Sequence, residues 1–210
     1  MIAPHLDALE LFRTTRADTH SLIRGLTQRQ ADFRANAQTW SIGQVLDHLL
    51  IAERLYREAI QDLIRLAKAG HRPVISKSFS EVDTSIAHIP RSVLPFLDVP
   101  FTVVNMFVPS FVREVMAEFR IVPAQNSKLA EPAFSTPVLE LRDALRDSFD
   151  DTAALIKMTT GVDFRALRYQ HPLLGDNNVP QLMRMVAYHE KRHQSQIRDN
   201  VNSRHYPKGA

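Results

Sequence analysis

Trp40-Ser41-Ile42-Gly43-Gln44-Val45-Leu46-Asp47-His48-Leu49 holds the sharpest helix start in the chain. Ser41 can accept from a backbone N–H of the first turn, and Gln44, three residues on, can reach back to the Ser41 backbone. Trp40, just before the cap, can pack on Val45. Capping box and hydrophobic staple together start a helix at Ser41. Val45, Leu49, Ala52, Tyr56, Ala59 and Leu63 then recur at helical spacing as far as Gly70, which suits a C-terminal cap. His48 lies among Val45, Leu49 and Ala52, so it turns towards the same interior.

Three other segments share this periodicity. The first runs from about His5 to Leu26, with Leu6, Leu9, Phe12, Leu22, Ile23 and Leu26 on or near one face and Thr15 and Thr19 weakening the stripe. Another starts at Thr136-Pro137, a capping residue before a proline that suits the first helical position, and carries Leu141, Leu145, Phe149, Thr152 and Ile156 to Gly161. The last starts at Asn178, where Asn178 and Gln181 can form a cap pair and Pro180 is harmless. Its stripe is Leu182, Met185, Val186, His189, His193 and Ile197.

The two pairs of helices are separated by about 65 residues, 71–135, against the ~2–8 usual between neighbours in a bundle. Prolines at 73, 90, 95, 100, 109, 123 and 132 cut this stretch into short pieces, although Phe101–Phe119 still reads as an amphipathic helix. The expected fold is therefore all-α: one domain over 1–210, a four-helix bundle with a long crossover at 71–135 between helices two and three, carrying accessory helices.

Composition narrows the function. Apolar residues make up 44% and charged residues 23%, as in ordinary globular proteins, and six glycines in 210 residues favour helices over tight turns. The net charge of +3 is dispersed, without the basic stripe of a nucleic-acid binder. Cysteine is absent, which excludes disulfides, thiolate metal sites and a cysteine nucleophile. The first residues, MIAPHLDALELFRTTR, lack the pattern of a signal peptide. The most apolar run, Phe101–Val112, is about half the ~20 residues that span a bilayer. A cytoplasmic protein without nucleic-acid or membrane partners is the expectation.

Three histidines carry the chemistry. His189 and His193, four apart on one helical stripe, present both imidazoles to a common point. With inward-facing His48 they make three imidazoles on two helices, the way bundles build metal sites. Neutral imidazole suits Zn, Ni or Fe, and three ligands leave a position open. The bland alternative is a hydrogen-bonded core histidine, which His48 alone would fit. The other histidines (5, 20, 71, 88, 171 and 205) read as solvated or structural. His189-Glu190-Lys191-Arg192-His193 is also literally H-E-x-x-H, the zinc-peptidase signature. The longer form of that motif needs Gly at 196 and a ligand at 199, where this chain has Gln196 and Asp199, and no Glu follows Glu190. No strand suited to holding a peptide is evident either.

Trp40–Leu49, His171-Pro172-Leu173-Leu174-Gly175 and His189–Ile197 together resemble the DinB-like superfamily of metal-binding four-helix bundles. That resemblance implies one ligand from the second helix and two from the last, which fall on His48, His189 and His193. It also implies a long crossover, frequent homodimers and relatives that act as metal-dependent hydrolases or as transferases using low-molecular-weight thiols. The leading expectation is thus a divalent-metal enzyme, a hydrolase or thiol S-transferase, acting on a small-molecule substrate with a small thiol as co-substrate. Glu190 is its candidate proton acceptor or orienting residue, against a solvated helix residue. The alternatives are a non-catalytic, metal-stabilised binding or dimerisation protein using Phe101–Phe119, and the zinc peptidase.

Overall fold

The computed structural model describes residues 3–37, 39–77, 132–171 and 175–208. In chain order these form α1 (Pro4–Leu22), α2 (Gln28–Ala31), α3 (Ile42–Lys68), β1 (Val74–Ser76), α4 (Val138–Met158), β2 (Arg168–His171), β3 (Gly175–Asn178) and α5 (Val179–Val201). The fold is all-α in class, with little strand. Helix α1 packs on α5 and α4, and α3 packs on α4 and α5, so the four long helices close into a ring. The expected accessory helix at Phe101–Phe119 lies outside the described residues, as does most of the crossover.

Local chemistry explains the helix ends. Ser41 caps α3 as expected: the Gln44 N–H donates to Ser41 Oγ at 3.1 Å and the Ser41 N–H to Gln44 Oε1 at 3.2 Å. Asn178 and Gln181 form the same reciprocal pair at α5. Two expectations need correction. Helix α1 stops at Leu22 rather than Leu26, because Gly25 takes a positive φ of 72° that turns the chain into α2. Leu6 stays exposed, whereas Thr15, Arg16 and Thr19 are buried. At α4 the cap position is Pro137, not Thr136, and the capping group comes from α2. The Val138 N–H donates to Gln28 Oε1 at 2.8 Å, while Gln28 Nε2 donates to the Thr136 carbonyl at 3.2 Å.

A small sheet adds to the expected helices. β1 pairs parallel to β2, with Ile75 opposite Tyr169, and β2 pairs antiparallel to β3, with Arg168 opposite Asn178. It lies at the α3 C-terminus and α5 N-terminus, the end where Leu9, Leu63, Ile156, Phe164, Leu167 and Leu182 form one apolar cluster. A second cluster of Ile23, Ile42, Val45, Leu46, Leu49, Leu141, Leu145 and Ile197 fills the other end. Between the two lies a layer of buried charge.

Candidate metal centre

His48 enters the site from the second turn of α3, and His189 and His193 from successive turns of α5. Their side chains converge: His189 Nε2 lies 3.2 Å from His48 Nε2 and 3.1 Å from His193 Nε2. One ligand nitrogen from each histidine lies within 4.8 Å of the other two, and among the described residues no further carboxylate or histidine joins this group. His48 and His193 are buried and His189 is partly buried. The donor set fits a metal. A neutral imidazole has one N–H, so His189 Nε2 can donate to only one of its two neighbours, leaving lone pairs facing one another. A shared cation satisfies all three. Nitrogens about 2.0–2.1 Å from a tetrahedral zinc stand about 3.3 Å apart, close to the two separations from His189 Nε2.

Burial, then the adjacent His193 and His48 and the charge of Arg192, hold the His189 imidazole well below the usual histidine range. A ligand must be unprotonated, so this favours the form that binds metal.

A family model of the DinB superfamily matches residues 11–197. The chain belongs to the DinB superfamily. No curated protein matches it. The family match spans the helices that supply all three histidines of this DinB chain, the residues singled out by periodicity.

Two further residues adjoin the triad. His193 Nδ1 lies 2.7 Å from Gln196 Oε1, one turn further along α5. The Trp40 ring lies 4.9 Å from the His48 ring and 6.2 Å from that of His193, nearly parallel to the latter. Trp40 thus staples α3, in the apolar cluster with Val45, and also walls the site. The carbonyl of Trp40 accepts from Asn200 Nδ2 at 2.9 Å, which ties this wall to α5.

Glu190 is not a solvated helix residue. It is 1% exposed, and its carboxylate faces α1. Arg16 Nε donates to Glu190 Oε1 at 2.9 Å, Arg16 Nη2 to Oε2 at 2.9 Å, and Thr19 Oγ1 to Oε1 at 2.6 Å. Arg16 Nη2 also donates to Glu53 Oε2 at 2.9 Å, and Nη1 to the Leu145 carbonyl. Thr152 Oγ1 donates to Glu53 Oε1 at 2.8 Å, and Gln194 Nε2 to the Thr15 carbonyl at 2.9 Å. Every long helix contributes to this layer. Desolvation opposes the charge on Arg16, but the two carboxylates outweigh it and raise its pKa. Arg16 and Glu53 are legible in the sequence only as polar residues falling on apolar stripes, Arg16 four residues after Phe12 and Glu53 four after Leu49.

The peptidase reading needs Glu190 as a general base beside the metal. Its carboxylate is instead bound by Arg16 and Thr19 of α1, which leaves that reading without support.

Among the described residues, no helix is long and apolar enough to cross a membrane.

Proposed function

We propose that this DinB protein is a metal-dependent enzyme that activates a small thiol for transfer to a small-molecule substrate. The observation that carries it is the convergence of three imidazole nitrogens, with no fourth ligand among the described residues. His48, His189 and His193 would hold a divalent cation, which would supply Lewis acidity and favour the ionised form of a water or thiol.

Thiol transfer is favoured over hydrolysis by what surrounds the site. Activating water calls for a group to receive the proton near neutral pH. Two carboxylates adjoin the histidines in sequence: Glu190 has its oxygens occupied by Arg16 and Thr19, and Asp47 accepts from the Ala133 N–H. A free thiol, with a pKa near ~8.5, needs far less help to ionise than water does. The chain has no cysteine, so the thiol comes from outside. Glu190 then acts as an orienting residue: it locks α5 against α1, which sets the rotation of α5 that points His189 and His193 at His48. Trp40 gives the site an apolar wall beside His48.

The test begins with elemental analysis of protein purified without a metal-affinity tag. It continues with thiol-conjugation assays using several small thiols and electrophiles, with and without added Zn(II), Ni(II) or Fe(II). The expected result is about one metal per chain, lost in His189→Ala, and conjugation that follows metal content. Stoichiometric metal with hydrolysis but no thiol conjugation refutes the thiol assignment; no metal on reconstitution refutes the whole reading.

A further inference from the structure

We infer that Gln196 is a positioning residue for the metal centre, fixing the tautomer of His193. The inference rests on the metal reading above. Gln196 Oε1 lies 2.7 Å from His193 Nδ1, and an amide oxygen can only accept, so the proton of the neutral ring sits on Nδ1. Nε2 is then left with its lone pair, and Nε2 is the atom 3.1 Å from His189 Nε2, at the convergence point. The opposite tautomer would place a proton where a cation has to sit.

The surroundings hold the Gln196 backbone in place. Its own carbonyl accepts from Asn200 Nδ2 at 3.2 Å, and the same amide nitrogen donates to the Trp40 carbonyl at 2.9 Å. Asn200 is buried, so the backbone of this turn is tied to the segment that carries the site's aromatic wall. The spacing of three residues puts Gln196 one turn beyond His193 on the same side of α5. Oriented histidine ligands commonly owe their ring angle to such an acceptor, and losing it typically weakens metal binding about 10–100-fold.

The experiment compares wild type with Gln196→Met, which removes the acceptor at similar length, and Gln196→Glu, which keeps it. Zn(II) affinity is measured by competition with a chromophoric chelator. The His193 tautomer of metal-free protein is read from long-range 1H–15N couplings of the imidazole. The expected result is an Nδ1–H tautomer in wild type and Gln196→Glu, a shift towards Nε2–H in Gln196→Met, and Zn(II) binding about 10-fold or more weaker in that variant alone. Zn(II) affinity within threefold of wild type in Gln196→Met, or an Nε2–H tautomer in wild type, overturns the inference while leaving the metal reading intact. Absence of Zn(II), Ni(II) and Fe(II) binding by wild type overturns both.

Discussion

Replacing Arg16 by Met tests the buried charge layer directly. Arg16 is 3% exposed, Glu53 2% and Glu190 1%, so water cannot take over when the guanidinium goes. Four of its donor–acceptor contacts reach the two carboxylates and one reaches the Leu145 carbonyl. Glu190 is left with Thr19. Glu53 is left with Thr152 and with Arg57, whose nitrogen is 3.9 Å away. Removing one side of such a buried pair costs about 3–5 kcal/mol, whereas removing the charge from both sides costs far less. With a urea m-value of about 2 kcal/mol/M, that lowers the unfolding midpoint by about 2 M. Urea unfolding followed by circular dichroism, in excess chelator so that metal binding adds nothing to stability, measures it. Arg16→Met, Glu53→Gln and Glu190→Gln combined should recover at least half the loss, since neutral amides still accept from Thr19 and Thr152. A loss below about 1 kcal/mol, or a triple variant no more stable than the single one, refutes the reasoning.

Trp40 is the single tryptophan and lies beside two of the histidines, so titration with Ni(II) or Cu(II) should quench its emission at one equivalent. Metal bound with emission unchanged would contradict the placement, and His48→Ala should abolish the response. Gly70 has a φ of +72° and open space where a methyl would sit, so Gly70→Ala should cost about 1 kcal/mol through the backbone alone. Gly43→Ala, where the nearest atom is an ordinary 3.5 Å contact, should stabilise by about 0.5 kcal/mol; thermal melts with both signs alike would be evidence against this contrast. Burial pushes His171 down to about 4 in the folded chain, while an unfolded histidine titrates near ~6.5. The unfolded chain therefore binds the extra proton, and this contribution is full above about pH 6.5 and is lost as pH falls towards 4, by at most about 1.4 kcal/mol per unit. His171→Gln should flatten that slope in urea melts between those pH values, and an unchanged slope would count against it.

The helices are readable from sequence because their signals are local. Ser41 with Gln44, and Asn178 with Gln181, each need only three residues to satisfy orphaned N–H groups, and both boxes form as the spacing requires. The α4 start escapes such a reading for the opposite reason. Its cap is Gln28, over a hundred residues away, and no local pattern announces it. The sheet is of the same kind. Arg168–His171 and Gly175–Asn178 carry no alternation of apolar and polar residues, and β1 finds its parallel partner across the whole crossover and α4. The histidines stand out by spacing, but Gln196 does not, because a lone glutamine one turn beyond a histidine has no distinctive pattern until its neighbour's ring is placed.

His189-Glu190-Lys191-Arg192-His193-Gln194 looks like one motif and is two interleaved pairs. Adjacent residues on a helix point about 100° apart, so the i, i+4 pair His189/His193 and the pair Glu190/Gln194 serve different neighbours. His189 and His193 face His48 on α3, while Glu190 and Gln194 face Arg16, Thr15 and Thr19 on α1. The glutamate that gives the string its peptidase appearance is therefore held by a guanidinium, which it shares with Glu53. A free carboxylate beside the histidines would add a fourth ligand or a proton acceptor and steer the centre towards hydrolysis. Binding it to Arg16 leaves three imidazoles as the candidate donor set among the described residues. The same ion pair makes the rotation of α5, and with it the aim of His189 and His193, depend on the charge layer that joins the four helices.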